Sequence, residues 1–357
     1  MPDTYTSQFS GEEIDSALRA AQMISGASTP AELRKKLEIR GDTIPVSATD
    51  PTPVSEALTA SGGGVNPNLL DNWFFGRPVN QRGQTEYTGS NIYCIDRFIC
   101  YSLNVSTSNS CLKLSSAEYW YSRIGQKIEP YLLNALSGKQ VTMTALLKSA
   151  KAGQVKISLH DSTDDISSNT EKIETTTGDV QLVTTTFTIP PSYSNHKVEA
   201  LFYSDYLKNG QETELYALKL ELGDQQTLAH KENGVWVLNE VPDFGEQLRR
   251  CQRYYYQSFE GSNPKTNMGA CAFIAGTASS APMALAFPVE MRTTPVVKIY
   301  SPQTGNEGKA AEWITDEDIT AACHTDFTNN KVLAINTYGN ATIGKTYAFH
   351  YTASADL

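Results

Sequence analysis

The sequence predicts a mainly β protein: short N-terminal helices, a jelly-roll β-sandwich, then a helix and a smaller C-terminal β-sandwich. Three observations lead there. Charged residues make up 19% of the chain, below the ~25% of a typical soluble domain. Ser, Thr, Asn, Gln and Tyr fill the gap, and they suit sheet surfaces better than long solvated helices. From Leu69 onward, short β-branched and aromatic runs are punctuated by Gly, Asn and Ser, with no amphipathic helices between the strands of the sandwich. Finally, 357 residues exceed the ~250 that one core usually organises, so the chain should divide.

The elements follow in order. Ser10-Gly11-Glu12-Glu13 forms a capping box, and Ile14, Leu18, Ala21 and Ile24 then recur at helical spacing. Thr29-Pro30-Ala31-Glu32 starts a second helix, with Leu33, Leu37 and Ile39 as its stripe. Residues 1–41 are therefore read as a helical attachment and oligomerisation segment, because two such short helices need a partner. Residues 42–66, rich in Pro, Gly, Ser and Thr, read as a linker. Residues 67–230 form the jelly roll, with strands expected at Ile92–Ile99, Lys139–Leu147, Gln154–Leu159, Gln181–Ile189, Val198–Tyr203 and Leu215–Leu222. A helical turn is expected near Ile124–Leu133. Residues 231–252 hold a connecting strand, Asn233–Asn239, and a helix capped by Asp243-Phe244-Gly245-Glu246. Residues 253–357 form a C-terminal β tip.

Several function classes drop out. Acidic residues outnumber basic ones by 9 to 5 in 1–66, 17 to 14 in 67–225 and 13 to 10 in 226–357. No segment is basic, so no nucleic-acid partner is expected. The longest uncharged run, Thr266–Val289, contains Pro282 and Pro288 and reads as paired strands, so no membrane insertion is expected. The first residues have neither the basic start nor the apolar core of a signal peptide. Six cysteines (94, 100, 111, 251, 271, 323) show no CxxC pairing and read as buried hydrophobes, a bridge from Cys94 or Cys100 to Cys111 remaining open. Five scattered histidines match no nucleophile signature, and no phosphate-binding or dinucleotide fingerprint occurs. The expectation is a non-enzyme without a cofactor or metal. The acidic runs His160–Asp165 and Asp316–Asp318 lack the spacing of a calcium loop.

Certain motifs are more distinctive. Asn68-Leu69-Leu70-Asp71-Asn72-Trp73-Phe74-Phe75 resembles the opening strand of carbohydrate-binding jelly rolls. Val79-Asn80-Gln81-Arg82-Gly83-Gln84, followed by Tyr93-Cys94-Ile95-Asp96-Arg97-Phe98, is similar to a signature of bacteriophage and prophage tail-fibre or receptor-binding proteins. Gln126–Glu129, Leu136–Thr142, Lys219–Gly223, Trp236–Asn239, Arg249–Tyr255 and Phe287–Arg292 look like later parts of such proteins. The resemblance spans roughly residues 66–300. It implies a homotrimer that attaches to other tail or baseplate proteins by its N-terminus and touches a bacterial surface glycan through a β domain. It also implies a place in the virion tail, after synthesis in the host cytoplasm.

Two groups of residues are candidates for carbohydrate contact. Asn80, Gln81 and Arg82, with Asp96 and Arg97 nearby, offer the paired donors that vicinal hydroxyls require. The competing reading, which is favoured, has Asp96 pair with Arg82 or Arg97 and pin a turn. Tyr119-Trp120-Tyr121 is the densest aromatic cluster. Alternation would send Trp120 to one side of a strand and the two tyrosines to the other, so one side is a stacking platform at most. Tyr300, Trp313 and Tyr338 flank polar loops of the C-terminal part, including the loop-like stretch Ser301–Glu312, and form the candidate receptor tip. Two alternatives stand beside glycan recognition: a purely structural tail adaptor, and a glycan depolymerase, for which no residues single out the carboxylate pair it needs.

Overall fold

The computed structural model describes residues 65–357 apart from 109, 116–121, 150–154, 162–171, 174–177, 192–197 and 205–211. The expected N-terminal helices and Tyr119–Tyr121 lie outside the described residues. Asn66–Leu357 forms one compact unit.

Its first part is two facing antiparallel sheets of six strands. In spatial order, sheet I contains β1 (Glu86–Gly89), β4 (Leu103–Thr107), β5 (Leu112–Ser115), β12 (Thr213–Leu222), β7 (Gln140–Lys148) and β10 (Val180–Thr188). Sheet II contains β2 (Ile92–Tyr93), β3 (Ile99–Tyr101), β6 (Arg123–Lys127), β11 (Val198–Ser204), β8 (Val155–Asp161) and β9 (Lys172–Ile173). Alternation sends one side of each strand into a shared core that includes Leu70, Trp73, Phe75, Phe98, Leu147, Phe187, Phe202 and Leu218. The opening segment runs along β12: Leu69 N donates to Leu220 O at 2.8 Å and Phe75 N to Tyr216 O at 2.9 Å.

A hairpin, β13 (Ala229–Glu232) and β14 (Val235–Leu238), follows. Its turn residues Asn233 and Gly234 have φ of 51° and 83°, the pair of positive angles that an Asn-Gly hairpin turn requires. Helix α1 (Pro130–Leu136) precedes β7, and α2 (Phe244–Gln252) leads into the last part. The helical turn expected over Ile124–Leu133 is displaced: Arg123–Lys127 is a strand paired on both edges, and Pro130 starts the helix where its missing N–H costs nothing.

In the C-terminal part, β23 (Thr346–Ser354) is the central strand. It pairs with β15 (Tyr255–Gln257), β16 (Cys271–Ile274), β18 (Val296–Tyr300) and β19 (Lys309–Glu312), and β20 (Asp318–Thr320) extends from β19. A smaller sheet holds β17 (Ser280–Ala286), β22 (Val332–Asn336) and β21 (Ala322–Cys323). Phe273, Phe287, Ile299, Leu333, Tyr347, Phe349 and Tyr351 fill the space between. The stretch Ser301–Glu312 is not all loop. Its end is β19, where the small side chains of Ala310 and Ala311 are buried against neighbouring strands. The mainly β class, with a jelly-roll-type sandwich, a helix and a smaller β-sandwich, is the fold observed. The six cysteines are free, four buried and Cys271 and Cys323 half-buried. Among the described residues no helix is long and apolar enough to cross a membrane.

Candidate functional site

The distinctive polar set splits between two internal roles. Asn80 holds its own turn, donating to Gln84 O at 2.7 Å and accepting from the Tyr87 hydroxyl at 2.6 Å. Gln81 N donates to Asp96 Oδ2 at 2.9 Å, and its side-chain amide reaches Tyr255 O at 2.7 Å. Arg82 Nη1 pairs with Asp96 Oδ1 at 2.6 Å and Nη2 with Asp356 Oδ2 at 2.7 Å. Its guanidinium also lies 3.9 Å from the Tyr255 ring centroid and 4.9 Å from that of Tyr93. Gly83, at φ 72°, sits where a Cβ would come 2.3 Å from Gly261 Cα, so two backbones meet with no room for a side chain. These residues therefore join the jelly roll to the C-terminal β part. Burial pushes the Asp96 carboxyl up to about 6, against the pull of Arg82. Arg97 turns to Asp71 (3.1 Å) and Lys127 O (3.0 Å) instead of Asp96.

Beside this joint lies a cavity of about 400 Å³ lined by Arg82, Tyr93, Tyr255, Gln257, Phe259 and Tyr300. The structure thus brings together one residue from each of two candidate groups, Arg82 and Tyr300. Trp313 and Tyr338 stand elsewhere on the C-terminal part, 58% and 60% exposed.

The outward face of sheet II collects a set of residues that sequence reasoning missed. Pairing aligns three rows across β3, β6, β11 and β8. Tyr101, Arg123, Tyr203 and Lys156 form the first, and Ile99, Gly125, Leu201 and Ser158 the second. Lys127, Glu199 and His160 form the third. The Arg123 guanidinium lies 4.4 Å from the Tyr101 ring centroid and 5.9 Å from that of Tyr203. The Tyr101 hydroxyl donates to Glu199 Oε1 at 2.9 Å. Gly125 makes room for the Leu201 side chain, whose Cδ2 a Cβ there would meet at 2.4 Å, so the middle row is packed and buried between the two outer ones. Among the described residues, Arg123 Nε is buried with no acceptor. Burial raises both the Glu199 carboxyl and the Tyr101 hydroxyl above their ordinary values. A half-buried face with two aromatic rings, a guanidinium and one carboxylate can stack a ring and hydrogen-bond its substituents. The strand Val198–Tyr203 is visible in the sequence, but Arg123–Lys127 overlaps a stretch that reads as a helical turn, and the side-by-side register of the two is not legible there. Among the described residues no cluster of three or more metal-ligating side chains occurs.

No family model matches the chain, and no curated protein is similar to it. Among solved structures, the CBM22-2 xylan-binding domain from Paenibacillus barcinonensis is 15% identical, covering 36% of this chain and 94% of that one with a TM-score of 0.28. The second N-terminal cellulose-binding domain of Cellulomonas fimi β-1,4-glucanase C is 11% identical over 45% and 98%, TM-score 0.30. A family 29 carbohydrate-binding module from Piromyces equi is 14% identical over 38% and 88%, TM-score 0.24. At scores this low the likeness adds nothing to the strand pairing described above.

Proposed function

We propose that the chain is a non-enzymatic glycan-binding subunit of a bacteriophage or prophage tail, holding the tail or baseplate through residues 1–41 as a homotrimer and contacting a bacterial surface saccharide. The observation that carries glycan binding is the Tyr101–Arg123–Tyr203 row with Glu199 beside it. Rings flanking a guanidinium and a carboxylate offer stacking faces and charged hydrogen-bond partners. The tail assignment is supported by the motif resemblance of Asn80–Gln84, Asp96–Arg97 and Arg249–Tyr255. Three tethered sites would act at high effective concentration, so weak single-site binding would suffice.

A glycan array probed with the full chain tests this reading, with Tyr203→Ala as the site variant. The wild type is expected to bind a subset of bacterial saccharides, and Tyr203→Ala to weaken that binding about tenfold, the loss of one stacking contact. Its thermal midpoint should stay close to that of the wild type. Light scattering should give three chains per particle. An array without a single bound saccharide overturns the reading in favour of a structural adaptor. That second reading is favoured by one observation: Gln81, Arg82 and Asp96 are engaged inside the joint.

A further inference from the structure

A second cavity, of about 310 Å³, lies between the opening segment at 67–71, the β6–α1 connection and the end of α2. It is built around arginines. Arg97 is 3% exposed and has φ 73°, an unusual angle for a side-chain-bearing residue. Its Nε bonds Asp71, its Nη2 bonds Lys127 O, and its guanidinium stacks 3.5 Å from the Tyr254 ring centroid. Its Nη1 is buried with no acceptor among the described residues. Asp71 also takes Arg250 Nη2 at 2.7 Å, and Glu129 takes Arg253 Nη1 at 3.5 Å together with the Tyr254 hydroxyl. Three guanidinium groups therefore face two carboxylates, and Lys127, also on the lining, gives its Nζ to Leu357 O, so positive charge is in excess within a chain whose net charge is −10.

The accessible parts of the cavity fit one chemistry. The Arg250 and Arg253 side chains are 37% and 40% exposed, and each has a single carboxylate partner among the described residues. Their planar forks suit a two-oxygen anion. Tyr131, also on the lining, is 64% exposed and offers a ring face. A neutral ligand would leave the excess charge uncompensated. A bare inorganic ion would leave Tyr131 idle.

We propose that this cavity binds a sugar unit carrying an oxyanion, a carboxylate or a phosphate, with the anion on Arg250 and Arg253 and the ring on Tyr131. The proposal rests on the glycan-binding reading and names the class of its ligand.

Calorimetric titration of the full chain tests it with trigalacturonate, with the same oligosaccharide methyl-esterified, and with inorganic phosphate as competitor. Trigalacturonate should bind about tenfold tighter than its ester, the value of one charge-assisted hydrogen bond. Arg253→Gln should erase that preference and Arg253→Lys should keep part of it, with unchanged melting in both. Arg250→Gln provides a second variant should Arg253→Gln melt early. Millimolar phosphate displacing trigalacturonate assigns the site to either oxyanion, and failure to displace assigns it to the carboxylate. Equal binding of acid and ester, or a preference that survives both glutamine variants, overturns the proposal while leaving glycan binding intact. If the array and both oligosaccharides show no binding, this proposal and the glycan reading fall together.

Discussion

At the scale of single residues, Asp96 shows how burial and pairing compete. Its carboxyl is fully buried beside Arg82, yet its folded-state value, about 6, lies above the ordinary 3.8. Folding therefore favours the protonated form. The stability this contributes is fully present below about pH 4 and is lost as pH rises through about 6, roughly 3 kcal/mol in all. Asn cannot titrate, so the stability of wild type minus that of Asp96→Asn should fall by about that amount between about pH 4 and pH 7. Urea denaturation of both proteins across that range measures it, and a constant difference would show that Asp96 does not titrate there. The acid–base pairing of Asp96 was foreseeable from sequence, because buried Asp and Arg in sheets nearly always pair. The second partner, Asp356, was not, because it lies 274 residues from Arg82.

At the scale of elements, local chemistry wrote most of the boundaries. Helix α2 begins at the expected cap, where Asp243 Oδ1 accepts from Glu246 N at 2.8 Å. Asp243→Ala should cost about 1 kcal/mol, read as an earlier urea midpoint with unchanged slope, and a neutral result would mean that packing of Cys251 and Gln247 alone holds the helix. Asn233–Asn239 reads as one strand in sequence, but its first two residues are the turn of a hairpin and the strand starts at Val235; the partner Ala229–Glu232 is too short and polar to announce itself. Strand β6 was harder. Arg123-Ile124-Gly125-Gln126-Lys127 has a glycine at its centre and a buried glutamine, neither of which favours a strand. Neighbours explain both: Gly125 makes room for Leu201, and Gln126 exchanges two hydrogen bonds with the backbone of Asp71. Local pattern cannot anticipate a residue chosen for a partner 55 positions away.

At the scale of the whole molecule, the joint couples two β parts that composition alone would separate. Gln81, Arg82 and Gly83 reach across to Tyr255, Asp356 and Gly261, and Asn72 N donates to Gln247 Oε1 at 2.7 Å. The wild-type unit should therefore melt in one calorimetric transition. Arg82→Ala leaves Asp96 buried and unpaired, at a cost of about 3–5 kcal/mol. It should lower the melting temperature at neutral pH and split the trace in two. A single, barely shifted peak in the variant would mean that the joint contributes little to cooperativity.

Alternation, capping residues and turn residues determine the β class, the strand positions and the helix before the C-terminal part, because each depends on contacts within a few residues. They also mark Asn80–Arg82, Asp96 and Arg97 as unusual. Register and long-range closure decide what those marks mean. Pairing across β3, β6, β11 and β8 assembles the Tyr101–Arg123–Tyr203 face, and the return of the chain end at Asp356 turns a candidate sugar site into a joint. A side chain's neighbours within its own strand follow from a two-residue period. Its neighbours across strands follow from how the whole core closes, and only the folded chain holds that information.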